Sequence, residues 1–190
     1  KLALGTVQFG LDYGIANKTG KIDIDEIKSI LEFAKNKSLD TLDTATGYGD
    51  SEERLGGIGV LHWNVITKLP ALPDACEDIY NWVREIVLDS LKNLHANQLS
   101  GLLLHRPNDL LGIHGEKLYH AIDKVKEEGL ILKTGASIYT PDELDLIFSR
   151  YKLDIIQAPF NIFDRRLKKS GWLSRLVQQG TEVHVRSVFL

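Results

Sequence analysis

Residues 39–54 read LDTLDTATGYGDSEER. The stretch opens as a short apolar run with two carboxylates and breaks after Ala45 into Thr-Gly-Tyr-Gly-Asp-Ser, too rich in turn formers to continue a strand. Polar chemistry therefore stands where a strand ends, with Asp43 at the edge and Tyr48 on the loop that follows. Each also has an ordinary reading: the aspartate as a turn cap, the tyrosine as a loop anchor.

The same strand-then-polar pattern repeats outward from this stretch. Apolar runs at residues 2–7, 64–69, 99–104, 130–137, 154–159 and 182–190 join residues 39–45 as seven expected strands. Helical patterns lie between them. Asp23 and Glu26 have capping-box spacing ahead of the stripe Ile24, Ile27, Ile30, Leu31 and Ala34. A very short helix is expected at 51–55, and Ile79, Val83, Ile86, Val87 and Leu91 set a long one. Leu118, Ile122 and Val125 mark another, ended by Gly129; Thr140-Pro141-Asp142-Glu143 opens the next, and a last one is expected at 167–179. Residues 56–63, GGIGVLHW, show no clean periodicity. Short continuous apolar strands between helices indicate a parallel sheet covered on both faces.

Seven such strands fit an open doubly wound sheet or an eight-stranded barrel with one unit missing. Asp43, Lys68, His105, Ser137, Gln157, Asn161 and Ser187 all fall at or just past the carboxyl ends of different strands. In a TIM-type (β/α)8 barrel those ends meet at one mouth, whereas an open sheet spreads them along an edge.

Composition narrows the class. The chain has 190 residues, 43% hydrophobic and 26% charged, with a net charge of −3. It is expected to be one soluble domain over residues 1–190, and with no isolated basic block it is not expected to bind nucleic acid. The single cysteine, Cys76, cannot close an internal disulfide, which favours a reducing, cytoplasmic setting. No run approaches eighteen apolar residues, so no membrane partner is expected. His62, His114, His120 and His184 lack metal-ligand spacing, and no metal is expected. Gly56-Gly57-Ile58-Gly59 lacks both the dinucleotide fingerprint and a Walker lysine.

Placed at one mouth, Asp43, Tyr48, Lys68 and His105 have complementary roles. A tyrosine titrates near 10 in water, and an adjacent ammonium favours its phenolate. Lys68 is placed to supply that charge, Asp43 to orient Lys68, and His105 to donate a hydrogen bond to a substrate oxygen. Such a set protonates an oxygen as negative charge builds on it, which carbonyl reduction by hydride requires. A structural Asp–Lys pair and a hydrogen-bonded core histidine are the alternatives.

At these residues the sequence resembles the aldo-keto reductase family. The matching pieces are LALGTVQFG, LDTATGYGDSEERLG, VITKL, LLLHRP, TGAS, IIQAPFNIF and VHVRSVFL, in the family's order along essentially the whole chain. The resemblance implies a TIM-type barrel that interconverts carbonyls and alcohols with NADPH or NADH. It places the catalytic tetrad on Asp43, Tyr48, Lys68 and His105. Ser137 and Gln157 would bind the nicotinamide carboxamide, Thr6 and Val7 would line the floor of the site, and Asp43, Arg186 and Ser187 would also border the cofactor. The sequence departs from the pattern at Ile138, where the family often has asparagine, and at Arg186, where an aromatic residue commonly stacks on nicotinamide. The connection from Tyr48 to Lys68 is shorter than usual. The eighth strand and the segment that grips the adenosine end are expected to fall outside this chain, which in isolation is expected to be weak or inactive. A noncatalytic barrel with a binding or regulatory role, and a barrel enzyme using Lys68 as a Schiff base, are the competing expectations. The expected partner is a small carbonyl compound, and the sequence does not decide between monomer and homo-oligomer.

Overall fold

The computed structural model describes residues 1–15 and 17–189. In chain order the elements are β1 (Leu4–Gly5), α1 (Val7–Gly10), α2 (Ile24–Asn36), β2 (Thr41–Asp43), α3 (Ser51–Ile58), β3 (Asn64–Leu69), α4 (Ile79–Asn93) and β4 (Gly101–Leu104). A 3-10 turn (Pro107–Leu111) then leads to α5 (Gly115–Glu127), β5 (Thr134–Ser137), α6 (Asp142–Phe148), β6 (Ile155–Pro159), α7 (Arg166–Lys169), α8 (Trp172–Gln178) and β7 (Glu182–Arg186). The strands form one sheet in the order β1 to β7, and every neighbouring pair is parallel.

One hydrogen bond shows that this sheet is curled. Strands β2 and β6 are four spacings apart, which in a flat sheet separates them by roughly 19 Å. Yet the Gln157 amide on β6 donates to Asp43 Oδ1 on β2 at 3.0 Å. The seven strands therefore wrap into an open, partial (β/α)8 barrel, with β1 and β7 as its edges among the described residues.

Side chains alternate between two apolar environments. Val65, Leu69, Leu102, Leu104, Ala136, Ile156 and Ala158 point outward into the core shared with the helices. Ile66, Leu103 and Ile155 point inward as a separate cluster. Gly101 leaves room between them, since a Cβ there would stand 3.0 Å from Ile155 and 3.4 Å from Ile66. The helices supply the outer layer; α4 buries Val83, Val87 and Leu91, each worth about 1.5–3 kcal/mol relative to exposure. Among the described residues, no helix is long and apolar enough to cross a membrane.

Local signals account for most boundaries. The Asp23 carboxylate accepts from the amides of Asp25 and Glu26, capping α2. Glu143 reaches back to the amides of Tyr139 and Thr140, the glutamate half of a capping box. Several boundaries differ from the sequence reading, with β2, β4 and β5 shorter than their expected runs. The first strand is two residues long, because the chain turns at Thr6 into the single turn α1. The helix expected at 167–179 is two helices, divided at Gly171, whose φ of 83° is left-handed. Helix α3 extends to Ile58 through two glycines, and Gly56 is required there: a Cβ would lie 1.9 Å from Asn93 O of α4. The seventh strand ends at Arg186, and position 190, its expected limit, lies outside the described residues.

Candidate active site

The period of two along each strand builds the site directly above the inner apolar cluster. Two residues after Ile66 comes Lys68, two after Leu103 comes His105, and two after Ile155 comes Gln157. Asp43, Ser137 and Arg186 stand at the same ends of β2, β5 and β7. All six border one cavity of about 1460 Å³, together with Tyr48 from the loop after β2.

A continuous set of hydrogen bonds crosses the cavity floor. Ser137 Oγ donates to Gln157 Oε1 at 3.0 Å, and Gln157 Nε2 donates to Asp43 Oδ1 at 3.0 Å. Lys68 Nζ donates to that same Asp43 oxygen at 2.8 Å, to Thr44 O at 2.7 Å and to Tyr48 Oη at 3.4 Å. His105 meets Tyr48 edge to face, with ring centroids 6.1 Å apart. Lys68 is only 1% exposed, while the Asp43 side chain keeps 20% of its surface in contact with solvent.

Burial governs the charges. The Tyr48 phenol is pushed up to about 12 by burial, then by the nearby Asp43 carboxylate, while Arg186 pulls the other way. Lys68 is held below the ordinary lysine range by burial, opposed by Asp43. His105 is lowered by burial and then by the Lys68 charge. The expectation that Lys68 brings the phenol down does not describe this state. The ammonium is committed to Asp43 and Thr44, and desolvation prevails.

The loop carrying Tyr48 is fastened on several sides. Thr46 Oγ1 donates to Lys68 O at 3.0 Å, and Ser51 Oγ donates to Thr6 O at 3.1 Å. Thr67 Oγ1 donates to Glu52 at 2.6 Å, joining α3 to β3 beside Lys68. At Gly10 a Cβ would stand 1.7 Å from Tyr48 O, so only glycine lets α1 pack against this loop.

The residues expected at the site are not all alike in placement. Val7 and Ser187 border the cavity. Thr6 does not: it is fully buried beneath it and donates to Asp43 O at 3.1 Å, so it supports the strand end. Asn161 lies outside the wall and holds the loop after β6 by donating to Ser187 O at 2.9 Å. The sequence reading missed Glu52, which hides beside exposed Glu53 and half-buried Arg54 in an ordinary acidic first turn. It also missed Tyr139 and the cavity wall formed by Gln8, Tyr13 and Lys18. Turn formers announced that loop, but nothing in their order showed it facing the strand ends. Among the described residues, no group of three or more His, Cys, Asp or Glu side chains is placed to hold a metal ion.

The family description Aldo/keto reductase family matches residues 1–189. The chain belongs to that family. Among curated aldo-keto reductases it is 25% identical over 161 residues to YhdN of Bacillus subtilis, covering 79% of this chain and 47% of YhdN. It thus spans about half the length of that relative. Among solved structures, the PA4992 protein of Pseudomonas aeruginosa superposes with a TM-score of 0.79 at 27% identity, over 96% of this chain and 71% of the other. An aldo-keto reductase from Klebsiella pneumoniae, solved with NADPH, shares the fold at a TM-score of 0.74 and 18% identity, over 97% of this chain and 62% of that one.

Proposed function

We propose that this chain is the greater part of one barrel domain of a reductase that converts a carbonyl compound to an alcohol using NADPH or NADH. The observation that carries this is the linked set Ser137, Gln157, Asp43, Lys68 and Tyr48 at the mouth of the partial barrel. The dinucleotide supplies the hydride. The residues present fit such a group. The cavity exceeds the usual range of roughly 300–1,000 Å³ for small-ligand pockets, and Ser137 and Gln157 bring to its wall the hydroxyl and amide that pair with a carboxamide. Val7, Asp43, Arg186 and Ser187 border the same space, with Thr6 supporting Asp43 from below.

Tyr48 is the proton donor. A phenol pushed up to about 12 keeps its proton at neutral pH, yet an alkoxide is far more basic, so transfer from Tyr48 Oη becomes favourable once negative charge has formed on the carbonyl oxygen. The C=O bond becomes C–O–H, with hydride added at carbon and the phenolic proton at oxygen. The Lys68 ammonium beside the hydroxyl and the Arg186 guanidinium then stabilise the phenolate. His105, kept uncharged by burial and by Lys68, presents a neutral ring to the carbonyl oxygen and does not compete with Tyr48 as an acid.

The test is carbonyl-dependent oxidation of NADPH, with NADPH fluorescence as a separate binding readout, compared between the parent chain and Tyr48→Phe. Loss of turnover with retained binding supports the assignment. Equal turnover in both sinks it. NADPH binding without turnover in the parent points to a noncatalytic role.

A further inference from the structure

We infer, on the reductase reading above, that the preferred substrate is an anionic carbonyl compound, an aldehyde or ketone bearing a carboxylate, with Arg186 as the anchor for its charge. The protein as a whole carries −3, so a positive cavity is not a general property of its surface. The charged residues that border the cavity are Lys18, Asp43, Lys68 and Arg186. Asp43 and Lys68 neutralise one another at 2.8 Å. That leaves Lys18 and Arg186, neither of which has a carboxylate within ion-pair distance among the described residues.

Arg186 is also held in place before any ligand arrives. Its guanidinium lies 4.6 Å from the Tyr139 ring centroid, and Nη2 donates to Ile138 O at 3.1 Å. Nε is buried without a partner, and the Asp164 carboxylate, which feels the Arg186 charge, is itself engaged by Arg166. A planar cation ordered in advance loses little further freedom on meeting a carboxylate. Its charge reaches the phenol, the ammonium and the imidazole alike, so an anion paired with it sits within range of the proton donor. Lys18, exposed on the cavity wall, adds attraction without a fixed geometry.

The dinucleotide also carries negative charge, and the experiment separates the two sources. The chain with NADPH is assayed on succinic semialdehyde and on its neutral primary amide, which has the same length. The acid is expected to exceed the amide in kcat/KM by about 10- to 100-fold, the factor associated with one charge-assisted hydrogen bond. Arg186→Gln should bring that ratio close to one, and Lys18→Gln should reduce it less. A parent ratio near one overturns the inference, as does a ratio that survives in Arg186→Gln. If Arg186→Gln instead weakens NADPH binding with the ratio unchanged, the charge serves the cofactor and the inference falls. Should that variant fail to fold, the parent ratio and its decline with ionic strength still decide. Butyrate and butyramide titrated calorimetrically into the cofactor-free chain provide an arm that needs no turnover. Preference for butyrate without any NADPH oxidation refutes the reductase reading and keeps the anion site.

Discussion

Lys68 and Asp43 are buried unequally, and their substitutions should therefore cost unequal amounts. Asp43→Asn leaves an ammonium at 1% exposure with no counter-charge, facing only neutral acceptors such as Thr44 O and Tyr48 Oη. Removing one member of a buried pair typically costs about 3–5 kcal/mol, because the other is stranded. Lys68→Met strands a carboxylate that remains one-fifth exposed and still accepts from Gln157 at 3.0 Å. Its expected cost is about 1–3 kcal/mol. The double variant carries no stranded charge and should be no less stable than Asp43→Asn alone. Urea unfolding followed by tryptophan fluorescence measures all four corners of this cycle. The pH dependence supplies a second reading. Burial lowers the Lys68 pKa and Asp43 opposes that shift, so Asp43→Asn lowers it further, while an unfolded lysine stays near 10.4. The unfolded chain then binds the proton more tightly, and stability rises with pH between the folded and unfolded values. The deficit of Asp43→Asn should shrink as pH is raised from neutral towards about 10. Equal single costs, additive doubles or a pH-independent deficit each refute the account.

Other outcomes follow from the same geometry. Tyr48→Phe should lower carbonyl reduction by about 10²- to 10⁴-fold while leaving NADPH fluorescence enhancement in place. The near-ultraviolet titration that disappears in this variant should have its midpoint at about 12, and in Arg186→Gln it should move higher, because the guanidinium pulls it down. His105 has a depressed folded pKa, so it contributes stability above its unfolded value near 6.5 that is lost as pH falls through the folded one; His105→Gln should flatten that acid limb in melting experiments. Gly10→Ala drives a Cβ against Tyr48 O and should cost about 1–3 kcal/mol, with kcat falling more than the loss of folded protein explains. Glu52→Ala should cost about 1–3 kcal/mol by orphaning the Thr67 hydroxyl, and Glu52→Gln should recover most of it.

The strand-and-helix order was legible because buried parallel strands read as apolar runs, and β3 was expected over the residues it occupies. The placing of Asp43, Lys68, His105, Ser137 and Gln157 was legible for a related reason: each falls at or just past the carboxyl end of an expected strand, and parallel strands put those positions at one end. What the sequence hid depends on closeness in space. Nothing local marks Gln157 as the partner of Asp43, 114 positions away. Glu52 looks like any acid in a first helical turn until Thr67 is seen against it. The Tyr48 pKa was misjudged because proximity to a lysine can be guessed from motif order, whereas desolvation depends on everything that surrounds the ring.

The close approach of Gly10 to the Tyr48 carbonyl also bears on how such a site can be re-engineered. The segment after Gly10 forms one wall of the cavity and is an obvious target for altering substrate choice. With no clearance between Gly10 and the tyrosine backbone, that wall and the proton donor behave as a single mechanical part. A loop grafted from a relative will therefore carry its own setting of the hydroxyl with it. The transferable unit is the wall together with residues 45–51, moved as one piece.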